Sequence, residues 1–118
     1  MTGLEAAETG LEAALAPVHE AGLSVRIEPL GAWGGARLLA EYDRARRAIA
    51  IDAGAVAQVR ALRGEAAAMR FVACAVWHEL HHHRFPGAGE AAAHAFAFER
   101  SGDDPRTFAA LLKAGADL

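Results

Sequence analysis

The chain is poor in the features that mark several large protein classes. It has one cysteine, Cys74, so no disulfide can form within it, and the sequence fits a reducing compartment. Cys74 itself reads as a small buried core residue. No apolar run approaches the roughly 20 residues of a helical membrane span, so no membrane association is expected. Net charge is -3, and apart from Arg44, Arg46 and Arg47 the basic residues are scattered. That argues against a nucleic-acid partner, which needs a broad basic patch. The opening MTGLEAAETG carries acids where a signal peptide has its basic segment, which points to a cytoplasmic protein. Neither an internal repeat nor a low-complexity linker breaks the chain, so residues 1-118 are expected to form one domain, long enough to bury a core.

What is present is mostly alanine and leucine at helical spacing. Residues 4-21 place Leu4, Ala7, Leu11, Ala14, Leu15 and Val18 near a 3.6-residue period, with Gly22 as a stop. The period then changes to two, because Leu23, Val25 and Ile27 alternate with Ser24, Arg26 and Glu28. Pro29 to Gly35 reads as a turn region. Ala36 to Tyr42 and Ala48 to Asp52 read as two more strands joined by the polar DRARR turn, making a three-strand meander. A short helix over 55-62 ends at Gly64. Glu65 to Arg84 follows as the longest helix, with Met69, Val72, Ala73, Val76, Trp77 and Leu80 as its buried stripe. FPGAG ends it, Glu90 to Ser101 begins another helix, and Asp104-Pro105 opens a last one with Phe108, Leu111 and Leu112 on its apolar face. The predicted class is α+β.

The long helix carries the densest chemistry in WHELHHHRF, which satisfies H-E-x-x-H with His78, Glu79 and His82. Histidines at i and i+4 share one helix face, so both can aim a ring nitrogen at one ion. Glu79 projects beside them. There its carboxylate can take a proton from water whose pKa zinc lowers to about 7, and pass it to a leaving amine. A catalytic zinc usually takes three protein ligands, and the downstream candidates are Glu90, His94 and Glu99. Glu90 and His94 share a face, so one can bind the metal while the other orients a ligand. Glu99 is expected to face solvent. The sole tyrosine, Tyr42, is expected to pack with its hydroxyl at the surface, and His81, His83 and His19 are expected to be exposed.

HELHH followed by EAAAHAFAFE resembles the glutamate-zincins of the ImmA/IrrE type, where H-E-x-x-H is followed by a helix patterned roughly E-x-x-A-N-x-F-A. Glu90, Ala93, Phe96 and Ala97 match that pattern in order. The order of helix, strands and active-site helix is also similar, so the resemblance covers most of the chain, and the size is that of the minimal minigluzincins. It implies a zincin-like fold: N-terminal helix, three-stranded sheet, H-E-x-x-H helix, glutamate helix and C-terminal helix. It also implies Glu90 as the third zinc ligand and a zinc metalloendopeptidase acting on peptides or unfolded proteins. His94 stands where the family has asparagine, either supporting a ligand or competing as one, and His81 replaces a glycine. The implied peptide-holding edge strand is Ala48 to Asp52. Two rivals keep the same site: a latent enzyme plugged by Asp103, Asp104 or Asp117, and a zinc-containing binding or regulatory protein without turnover.

Overall fold

The computed structural model describes residues 2–116. Thr2 accepts the Glu5 N–H at 3.0 Å and so starts helix α1, Gly3–Glu20. The helix continues through Gly10 and Pro17 and stops where Gly22 takes a φ of 74°. Strand β1, Ser24–Glu28, follows. The expected turn region holds a small hairpin of β2, Ala32–Trp33, and β3, Ala36–Arg37. Its loop residues Gly34 and Gly35 have φ of 60° and 81°, a turn that requires left-handed backbone at both positions. The expected strand over Ala36 to Tyr42 is therefore split, and its second part is β4, Ala40–Asp43. A turn held by Asp43, which accepts the Arg46 N–H at 3.1 Å, leads into β5, Ala48–Asp52.

The sheet order is β1-β5-β4, with β1 parallel and β4 antiparallel to β5. The expectation of a meander with Ala48 to Asp52 at its edge is thus corrected: β5 is the central strand. The physical reason is in its composition. AIAI is a continuous apolar run, and every residue of the strand, Asp52 included, is buried, as in a strand covered on both faces. Among the described residues β4, paired only with β5, has a free side.

Asp52 ends the sheet and caps α2, Ala53–Arg63, by accepting the Ala55 N–H at 3.0 Å. Gly64, with φ 94°, breaks the chain into α3, Glu65–Arg84. Helix α4 spans Glu90–Ser101, and α5 spans Pro105–Ala116 with proline at its first position. Among the described residues the fold is thus a mixed α+β arrangement of five helices and a small sheet. None of these helices is long and apolar enough to cross a membrane.

Helix α3 lies at the centre, packed against α1, α2, α4, α5 and the sheet. Its expected stripe is mostly buried, but so are Phe71, Cys74 and Ala75, because neighbours cover it on several sides, whereas Met69 and Trp77 are only half-buried. Ile49, Ile51, Val18, Val59, Val76 and Leu80 are the large side chains fully removed from water. At about 1.5 to 3 kcal/mol per side chain, this cluster dominates the driving force for folding. It also fixes the polar face of α3 in place.

Candidate metal centre

Helical phase alone aligns His78 with His82, whose rings meet edge to face at 4.8 Å between centroids. The turn over FPGAG then brings in α4. Phe85 donates its N–H to the His81 carbonyl at 2.8 Å, and Ala88 donates to Phe85 at 3.0 Å, so the chain reverses at once. Ala93 and Ala97, both fully buried, let α4 approach α3 closely. Glu90 consequently arrives over the histidine pair from the first turn of α4.

The Glu90 carboxylate gathers three imidazoles. His82 Nε2 lies 2.6 Å from Oε1, His78 Nε2 lies 3.3 Å from Oε2, and His94 Nε2 lies 3.8 Å from Oε2. His94 also stacks on His78, with ring centroids 4.9 Å apart. Glu79, buried, sets its Oε2 2.5 Å from His78 Nδ1. That contact uses one nitrogen of His78 and leaves the other, Nε2, directed toward Glu90. Burial depresses the His78 pKa, but the Glu79 hydrogen bond and the charges of Glu79 and Glu90 outweigh it and leave the ring above its ordinary value. For His94 burial prevails, aided by His78, and its pKa is lowered.

The donor set suits a divalent metal. His78 Nε2 is buried, and its one polar neighbour, Glu90 Oε2 at 3.3 Å, is not aligned for a good hydrogen bond, which is costly for a nitrogen that water cannot reach. A cation shared with Glu90 would satisfy it. Ligand atoms about 2.0 to 2.1 Å from a tetrahedral zinc lie roughly 3.3 Å from one another. The His78–Glu90 separation equals that value, the His94–Glu90 separation is longer at 3.8 Å, and the 2.6 Å between His82 and Glu90 is hydrogen-bond contact. Two groups, His78 with Glu79 and His82, and His78 with Glu90 and His94, each hold their donor atoms within 4.8 Å.

The sequence-expected residues His78, Glu79, His82, Glu90 and His94 are therefore brought together, and Glu99 is exposed as expected. Other expectations are corrected. His81 is buried, not exposed, because it lies one turn beyond Trp77 and packs between Phe85 and Phe96, at 5.0 and 5.1 Å. Burial, then the charges of His82 and His78, hold its pKa below the ordinary value. Tyr42 is half-buried, with its hydroxyl 2.8 Å from Nδ1 of the half-buried His83, a contact the sequence did not suggest.

Of the aspartates expected as a plug, Asp103 and Asp104 each have an arginine partner. Asp103 takes both guanidinium contacts of Arg70, one at 3.1 Å. Asp104 pairs with Arg106 at 2.8 Å, and those hydrogen bonds pull its pKa down to about 2. Asp117 lies outside the described residues. Cys74 is buried as expected, and that burial pushes its thiol up to about 11.

Sequence reasoning missed two arginines. Arg37 and Arg106 line the same cavity as His78, Glu79, Glu90 and His94. Both are remote in sequence from the motif, and no local pattern marks either one. No family model, curated protein or solved structure matches this chain, so the case for the centre rests on these residues and their geometry.

Proposed function

We propose that the protein is a zincin-like, zinc-dependent metallopeptidase, with His78, His82 and Glu90 holding the ion and Glu79 as general base and acid. The observation that carries this reading is the buried His78 Nε2, which has no hydrogen-bond partner and faces the carboxylate of a second helix. When bound, zinc supplies Lewis acidity for the scissile carbonyl and lowers the pKa of water to about 7.

The chain's own residues do the rest. Glu79 Oε2 fixes the His78 ring through Nδ1, and Oε1 takes the proton of the attacking water and delivers it to the leaving amine nitrogen. Leu80 and Val76, fully buried, lock the helix that presents this face. An extended peptide pairs along the free side of β4, whose Ala40 lines the cavity with Glu79. This replaces β5, which has no free side.

A second reading draws on His94. Its Nε2 stands close enough to Glu90 to join His78 and His82 as a fourth protein donor. Such a closed set would make the centre that of a zinc-containing binding or regulatory protein without turnover.

Metal content and turnover separate these readings. Purified wild type should hold about one zinc per chain, and His82→Ala should lose it. Glu79→Gln should keep the zinc yet lower cleavage of a denatured protein substrate by about 10²- to 10⁴-fold. Cleavage within a few-fold of wild type would remove Glu79 from its role. A zinc-loaded wild type that cleaves nothing, even as a large excess over substrate, would favour the closed centre.

A further inference from the structure

His78, Glu79, Glu90 and His94 open onto a cavity of about 310 Å³ whose apolar wall the mechanism leaves unassigned. Its walls are largely apolar, formed by Leu39, Ala40, Phe71, Ala75, Phe108 and Ala109. The volume sits at the low end for ligand pockets, suited to one bulky side chain and its backbone. The polar lining is divided: Glu79, Glu90, His78 and His94 form the metal-site side, and two cations, Arg37 from the end of β3 and Arg106 from the start of α5, line the rest.

Arg37 is held in place. Its NH1 donates to Gln58 Oε1 at 2.8 Å and its NH2 donates to Asp52 Oδ2 at 3.2 Å. Asp52 is in turn fixed by the N–H groups of Leu30 and Ala55, each at 3.0 Å. A guanidinium carries five N–H donors in a rigid fork, so Arg37 retains unused donors in a position already paid for by folding. Arg106 is the looser of the two, 73% exposed and tied only to Asp104. The N–H groups that Asp52 and Gln58 leave on this held guanidinium, at the wall of a largely apolar cavity, match one ligand group above others, a carboxylate.

We propose that this cavity makes the protein selective for peptides with a bulky apolar side chain next to the bond presented to Glu79 and a carboxylate held by Arg37, with Arg106 as a second cation. The carboxylate is either the peptide's own C-terminus or an acidic side chain. This rests on the peptide-hydrolysis reading, but binding can be measured apart from turnover.

The test uses zinc-loaded Glu79→Gln protein and fluorescein-labelled hexapeptides read by fluorescence anisotropy. One pair carries a leucine near a free or an amidated C-terminus. Another carries leucine followed by glutamate or glutamine, and a third replaces leucine by serine. A charge-assisted hydrogen bond of this kind corresponds to a Kd ratio of about tenfold to a hundredfold. One of the two acidic forms should therefore bind at least about tenfold more tightly than its neutral partner, which also identifies the source of the carboxylate. The serine peptide should bind more weakly by a similar factor. Adding Arg37→Gln should bring acidic and neutral forms within about twofold, and Arg37→Lys should keep part of the preference.

Equal binding of acidic and neutral forms overturns the proposal without any arginine variant, so a poorly folding Arg37→Gln does not protect it. Survival of the full preference in Arg37→Gln also overturns it. Wild type that cleaves these peptides without preference leaves hydrolysis standing and removes the selectivity. Preferential binding without cleavage does the reverse.

Discussion

Two carboxylates organise this molecule, Asp52 and Glu90, and they are treated in opposite ways. The Asp52 side chain is 10% exposed and has a partner for each oxygen: Leu30 N–H on one, Ala55 N–H and the Arg37 guanidinium on the other. Glu90 is 66% exposed, makes no bond to backbone N–H, and faces three imidazoles, one of which is left with a buried, unsatisfied nitrogen. The first node is complete without anything further. The second would be completed by a shared cation, as proposed above. Burial with full satisfaction marks a carboxylate that holds the fold, whereas an exposed carboxylate facing three imidazoles is the one on which the proposed metal site rests.

The comparison is tested first where the effect is largest. Asp52→Ala removes an N-cap, worth about 1 kcal/mol, and leaves the Leu30 N–H and Arg37 without their acceptor at about 1 kcal/mol each. Unfolding by urea should show a loss of about 3 kcal/mol. The folded fraction should still bind one zinc per chain. A loss under about 1 kcal/mol would mean that Asp52 does not hold the hairpin, the sheet and α2 together.

Glu90→Ala should do the opposite. In metal-free protein this exposed side chain contributes little, so the urea midpoint should shift by less than about 0.5 kcal/mol, in line with surface positions. Zinc affinity should fall by more than about tenfold, measured by competition with a chromogenic chelator. Metal-free protein destabilised as strongly as in Asp52→Ala would erase the distinction between the two nodes.

The second node was readable in the sequence and the first was not, for a physical reason. His78, Glu79 and His82 share a face through helix geometry that any helix imposes, and Glu90 needed only a sharp reversal at FPGAG to reach them. Asp52 depends instead on contacts across the fold, to Leu30 and Arg37, that no local period encodes. Strand order failed for the same reason: β1 and β5 pair in parallel across the whole hairpin and β4, and pairing of that kind is decided by burial. One clue was present, since the unbroken AIAI run indicates a strand covered on both faces. For His81 polarity points to the surface and helical phase to the core, and phase prevails, setting it one turn from Trp77 and against Phe96.

The smallest expected effect belongs to His94, the residue that stands between the two readings of Glu90. Its Nε2 is 3.8 Å from the carboxylate, too long for a hydrogen bond, and its ring stacks on His78 instead. As a neighbour of the ligands it contributes packing and orientation, so His94→Asn should keep about one zinc per chain and change affinity by no more than about tenfold. Cleavage should change by a similar or smaller factor, because the asparagine leaves His78, His82 and Glu90 in place. If His94 is instead a fourth ligand, the same substitution opens a coordination position: zinc would be held much more weakly, and an inactive wild type would gain turnover. Zinc affinity and cleavage rate measured side by side on this one variant thus decide whether the Glu90 node keeps a position free for substrate or closes it with the chain's own imidazole.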